Sequence, residues 1–202
     1  MGNNTADKVT DRVGDGATTR KILCCGILQR EVEYLLLGKN VAVTYLDPGL
    51  HVDFARLAKT LGQNLSDSDG LKPVVVYGHA CHPAMGKMAA AHGGRLMEAV
   101  NCIEAILGDR LAELDAGGKT FYLSVGWLEN WRKIFVEELA CDENSAREIF
   151  AGYDRLLLLD TGIWPLDQEK VREFAAFTGL PVEAMPISLE HLRRRLEEVI
   201  DR

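Results

Sequence analysis

Short apolar runs alternate with amphipathic stretches along most of the chain. Lys21 to Cys25, Val41 to Leu46, Pro73 to Tyr77, Arg95 to Val100, Thr120 to Val125, Tyr153 to Asp160 and Val182 to Pro186 each have the length and bulk of a strand. Between them, apolar residues recur at helical spacing: Ile27, Val32, Leu35 and Leu36, then Phe54, Leu57, Ala58 and Leu61, then Ile103, Ile106 and Leu107, then Phe174 and Phe177, with a closing helix from Leu189. Val74-Val75-Val76 and Leu156 to Leu159 are consecutive rather than alternating, as in strands buried on both faces. About seven such alternations with short connections predict an α/β fold, a three-layer α/β/α arrangement around one mostly parallel sheet of six to seven strands. Residues 1–19 carry few bulky apolar side chains beyond Val9 and Val13 and read as a mobile tail, which leaves 20–202 as a single domain.

In a parallel sheet every strand-to-helix turn falls on the same edge, and ligands bind beyond the carboxyl ends of the strands. The residues that leave strands on that edge are unusual. They are Cys24 and Cys25, then Asp47 and His51, then Tyr77, His79, Cys81 and His82, then Asn101 and Cys102, then Trp127, and last Asp160, Thr161 and Trp164. A single cysteine in such a place is ordinarily a small buried hydrophobe. Cys25, Cys81 and Cys102 occupy equivalent places at three different strand ends, and that repetition points to shared chemistry. Two unit negative charges ~4 Å apart repel by about 4 kcal/mol at an effective dielectric of ~20, so clustered thiols stay protonated unless a cation binds them. Three cysteines suit an iron-sulfur cluster with one exposed iron, or a zinc ion with water or histidine as fourth ligand. His82 or His51 is the candidate fourth partner or proton donor.

Composition narrows the field. The chain has 202 residues, 47% of them hydrophobic and 26% charged, enough for a full core, and its formal net charge of -7 argues against nucleic acid. Arg193-Arg194-Arg195 lies among Glu190, Glu197 and Glu198 and reads as a salt-bridged helix face. No apolar run approaches the ~18 to 20 residues of a membrane span and no secretory signal is evident, so a cytoplasmic protein with no membrane partner is expected. Five cysteines in a reducing compartment read as free thiols or ligands. There is no dinucleotide fingerprint, no phosphate-binding Gly-Lys-Ser loop and no Gly-x-Ser-x-Gly elbow. A cysteine nucleophile paired with His79 or His82 would leave Cys25 and Cys102 unexplained. Trp127 and Trp164 read as caps on the core, with a substrate-binding role beside Tyr77 and His79 as the alternative.

Several stretches in order, Ile22-Leu23-Cys24-Cys25-Gly26 with Glu31, Leu46-Asp47-Pro48-Gly49-Leu50-His51, Tyr77-Gly78-His79-Ala80-Cys81, Asn101-Cys102-Ile103, Tyr122 to Trp127 and Asp160-Thr161-Gly162, resemble the family called domain of unknown function 1638 from about Lys21 to Pro186. The resemblance implies a small intracellular protein of anaerobes, often encoded near corrinoid-dependent methyltransferases. It supports treating Cys25, Cys81 and Cys102 as a set and Cys24 as a bystander. The family pattern usually has Gly and Asn where this chain has His82-Pro83, and an acidic residue where it has Asn101. The expected function is a metal- or iron-sulfur-binding protein of anaerobic one-carbon metabolism, a methyl-transfer accessory or a small-molecule redox enzyme. Its partners would be a small-molecule substrate, a corrinoid or a methyltransferase protein. The alternative is a non-catalytic module that binds a methylated amine or corrinoid, with its cysteines only packed.

Overall fold

A computed structural model describes residues 20–68 and 71–201. The predicted tail, 1–19, lies outside the described residues. All seven predicted strands form: β1 (Lys21–Cys25), β2 (Ala42–Leu46), β3 (Val74–Val76), β4 (Arg95–Leu96), β5 (Thr120–Leu123), β6 (Arg155–Asp160) and β7 (Val182–Pro186). Among the described residues the α-helices are α1 (Gln29–Leu35), α2 (Phe54–Ser66), α3 (Met85–Ala91), α4 (Cys102–Leu107), α5 (Arg110–Asp115), α6 (Val125–Trp131), α7 (Glu143–Phe150), α8 (Gln168–Thr178) and α9 (Glu190–Asp201). A π-helical stretch, Arg132–Glu138, extends α6.

The fold is α/β and every strand pairing is parallel, but the strands form two sheets rather than one. The first has the order β2-β1-β3-β4 and the second β5-β6-β7. The difference has a local cause. The apolar run expected to reach Val100 makes a strand of only two residues, Arg95–Leu96, which offers β5 almost no ladder. After it the chain enters α4 and α5 and then starts a fresh sheet. Hydrophobic pattern identifies strands, not their neighbours.

One core nevertheless runs through both halves, from Ile22 in β1 to Val199 in α9. The final helix returns across the molecule to pack on α4 and β3, and α6 packs on α1 and the turn before it. The second half contributes an aromatic cluster in which Phe121, Phe135, Phe150 and Phe174 stand at ring distances of 5.0 to 6.3 Å.

The order of the first sheet positions the site. After β1 the chain crosses to β2 on one side, and after β3 it crosses to β4 on the other. Adjacent strands whose connections leave in opposite directions open a crevice beyond their carboxyl ends. β1 and β3 are those strands, and they deliver Cys25 and Tyr77 to the crevice.

Candidate functional site

β1 is buried along nearly its whole length, and its last two residues point to opposite faces. Cys24 remains in the core, its thiol donating to the Cys25 carbonyl at 3.4 Å. Cys25 faces the crevice and is 2% exposed. Beyond β2, Asp47 accepts the Gly49 N–H at 2.7 Å and starts a 3-10 turn, Pro48–Val52, that carries His51. The His51 Nδ1 lies 2.9 Å from the Pro48 carbonyl, which can only accept, so this nitrogen carries the proton. In the neutral ring the Nε2 lone pair is then free, and it stands 3.5 Å from the Cys25 sulfur. Histidine ligands of metals are held in this way, one nitrogen tied to a carbonyl and the other aimed inward.

The turn beyond β3 is locked to the turn beyond β4. A Cβ on Gly78 would sit 2.3 Å from the Val100 oxygen and the Asn101 Cα, so only glycine allows the two backbones to touch. His79 N–H donates to Ala99 and Ala80 N–H to Val100, at 2.9 and 3.0 Å. This junction draws the Cys81 and Cys102 segments together. Asn101 caps α4 by accepting the N–H groups of Ile103 and Glu104 at 3.0 and 2.9 Å. Aspartate would cap this helix start about equally well.

The second sheet closes the site. Ser124 caps α6, and the first turn of that helix presents Trp127, whose indole N–H donates to the Cys102 sulfur at 3.4 Å. The indole also lies 5.6 Å from the His51 ring, and His51 stacks over Tyr77 at 6.4 Å. Gly126 makes the approach possible: a Cβ there would lie 1.9 Å from the Ile27 oxygen in the turn after β1. The carboxyl ends of the two sheets therefore converge on Cys25, His51, Tyr77, Cys102 and Trp127.

Electrostatics keep these sulfurs protonated. Burial pushes the Cys25 thiol up to about 12, against the pull of the Ile27 and Leu28 backbone N–H groups. Burial also pushes Cys102 up, followed by repulsion from charge on Cys25, while the Trp127 N–H acts in the opposite sense and charge on Cys81 adds to the rise. The three thiols thus lie within electrostatic reach of one another, and neither Cys25 nor Cys102 is poised as a nucleophile on its own. Among the described residues, no three His, Cys, Asp or Glu side chains already stand as a metal cage. The donor chemistry fits a soft cation, and a cation would require the side chains to draw inward.

Two polar atoms at this end of β1 are buried without a hydrogen-bond partner, the Tyr77 hydroxyl and Glu31 Oε2. Glu31 was not singled out as a site residue from the sequence. The signal was present, because Leu28, Glu31, Val32 and Leu35 share one helical stripe and three of the four are apolar.

The remaining candidates are less buried than Cys25 and Cys102. His79 is exposed, and Cys81 and His82 are half-buried. The His82 ring meets Phe54 edge-on at 5.8 Å while its Nδ1 accepts the Ala84 N–H at 3.0 Å. Trp164 is half-buried against Tyr34 of α1 at 5.9 Å, beside a cleft lined by Arg30, Glu33, Val43 and Tyr45. The structure thus sets His51, rather than His82, against a cysteine, and sets Trp127, rather than Trp164, at the crevice.

The family model described as "Protein of unknown function (DUF1638)" matches residues 45–196. The chain belongs to that family. The DUF1638 match covers His51, Tyr77, Cys81, Cys102 and Trp127 but begins after β1, so it starts later than the resemblance from Lys21 and does not reach Cys25. No curated protein and no solved structure matches the chain significantly. Among the described residues, no helix is long and apolar enough to cross a membrane.

Proposed function

We propose that the crevice between β1 and β3 binds a soft metal ion, zinc or the iron of an iron-sulfur cluster, through Cys25, Cys81 and Cys102, with His51 as the histidine partner. The observation that carries this reading is the Cys25–His51 pair: an inward-facing lone pair 3.5 Å from a buried sulfur, on a ring tethered by its other nitrogen. A cation supplies the positive charge that the buried Cys25 and Cys102 thiols need in order to ionise, offsetting burial and the repulsion between the thiolates formed. His51 takes the place expected of His82 or His51. A role in anaerobic one-carbon or corrinoid-linked metabolism, as a methyl-transfer accessory or a redox enzyme, rests on the family resemblance.

Anaerobic purification of the full chain, with zinc, iron and acid-labile sulfide measured, tests the metal site. About one zinc or one cluster per chain is expected, falling sharply in Cys102→Ser and Cys81→Ser while both variants keep the wild-type circular dichroism. A metal-free wild type with all five thiols titratable on unfolding, and no uptake on anaerobic reconstitution, ends this reading.

The rings of His51, Tyr77 and Trp127 around one crevice favour a second reading, a non-catalytic module for a methylated amine or a corrinoid. A metal-free chain that binds tetramethylammonium, and loses that binding in Trp127→Ala, supports it over the first.

A further inference from the structure

Tyr77 is among the largest fully buried side chains, 1% exposed, and its hydroxyl has no hydrogen-bond partner among the described residues. Leaving a buried hydroxyl bare costs ~1–3 kcal/mol, a cost that phenylalanine in the same space would avoid. The oxygen lies near the Cys25 sulfur, close enough to favour its thiolate, yet completes no bond of normal geometry. The other donors at the crevice are engaged: the Trp127 N–H on Cys102, and the His51 Nδ1 proton on Pro48. A phenol carries one O–H donor, and here no acceptor among the described residues takes it up. The His51 ring stacks on Tyr77, and the Trp127 ring lies against His51.

We propose that the Tyr77 hydroxyl is the anchoring donor for a small exogenous ligand bearing an anionic acceptor, a carboxylate or a thiolate, seated at the carboxyl ends of β1 and β3. The inference rests on the metal-site reading for its counter-charge: the cation that ionises the cysteines also attracts the anion. The Tyr77 O–H then selects ligands that present a lone pair at that depth.

The experiment compares anaerobically Co(II)-loaded wild type with Tyr77→Phe. Acetate and 2-mercaptoethanol are titrated separately while the cobalt absorption is followed. Wild type should show a saturable spectral change with one of the two, and the responsive probe identifies the acceptor as carboxylate or thiolate. Tyr77→Phe should keep the thiolate-to-cobalt band but bind that probe about tenfold more weakly or worse, the loss of one hydrogen bond to a charged group. Its ligand-free Tm should equal or exceed that of wild type, whereas a purely structural tyrosine would lower it. Equal affinities, no response to either probe, or a Tm several degrees lower overturns the proposal. A wild type that takes up no Co(II) refutes the metal reading alone. The same probes are then followed by thermal shift: a shift abolished in Tyr77→Phe upholds the Tyr77 role, and no shift overturns it.

Discussion

Glu31 is a carboxyl that burial pushes well above its usual range. It sits in the first turn of α1 at 1% exposure, and burial, reinforced by Glu129 and opposed by Arg30, holds its carboxyl up at about 7. A carboxyl raised in the folded state binds its proton more tightly there than in the unfolded chain. Its contribution is therefore fully present below the ordinary value of 4.5 and is lost as pH rises toward about 7. From 4.5 to about 7, at ~1.4 kcal/mol for each tenfold change, the loss is on the order of 3 kcal/mol. Urea denaturation at pH 5.5 and pH 8 should show wild type losing stability relative to Glu31→Gln across that interval. The variant should be the more stable of the two at pH 8. Parallel behaviour of the two proteins would mean that Glu31 has found a partner or solvent, and that its oxygen is not bare.

At the scale of elements, what was legible in the sequence was local. Consecutive Val74-Val75-Val76 and Leu156 to Leu159 announced buried strands because a strand covered on both faces has no polar alternation to hide. Cys24 was set apart from Cys25 by the family resemblance alone, and the structure adds the physical reason, that successive strand residues face opposite ways. The His51–Cys25 contact was not legible, because it depends on β2 lying beside β1 and on a turn whose shape is set by Asp47 and Pro48. That turn is braced from the far half of the chain: Asp47 pairs with Lys133, and Arg56 with Glu138 at 2.5 Å, both partners in the π-helical stretch. These pairs are partly exposed and contribute about 0–1 kcal/mol each, so they orient the turn more than they hold the fold together. The backbone contact of Gly126 with Ile27 is different in kind, since nothing there can yield except one helix moving off the other. Gly126→Ala should cost about 3 kcal/mol or more in chemical denaturation and break the Trp127–Cys102 contact. Gly152→Ala, which meets nothing within 4 Å, should change stability by about 0.5 kcal/mol or less. Comparable costs at the two positions would show that α6 does not press on the turn after β1.

At the scale of the whole molecule, two sheets could have made two independent lobes, and the path of the last helix argues against it. α9 follows β7 in the second sheet, yet it buries Leu192, Leu196 and Val199 against α4 and β3 of the first. Burying such a side chain is worth about 1.5–3 kcal/mol, so the three together supply about 6 kcal/mol, comparable with the ~5–15 kcal/mol that holds a domain folded. The first sheet therefore depends on the last dozen residues of the described chain, and so does the crevice, because α9 packs on α4, which begins at Cys102, and on β3. Two probes separate the halves. With Trp127 and Trp164 replaced by Phe, Trp131, packed on Phe174 and Phe177, reports on the second, whereas the thiols of Cys24, Cys25 and Cys102 report on the first. In urea, tryptophan emission and thiol accessibility should change together in a single transition for the full chain. In a chain ending at Ser188 the thiols should become reactive at much lower urea than wild type, although every residue of the first sheet is still present. Thiols that stay protected in that truncation, with emission unchanged, would show that the first sheet folds by its own core and that α9 is an ornament on it.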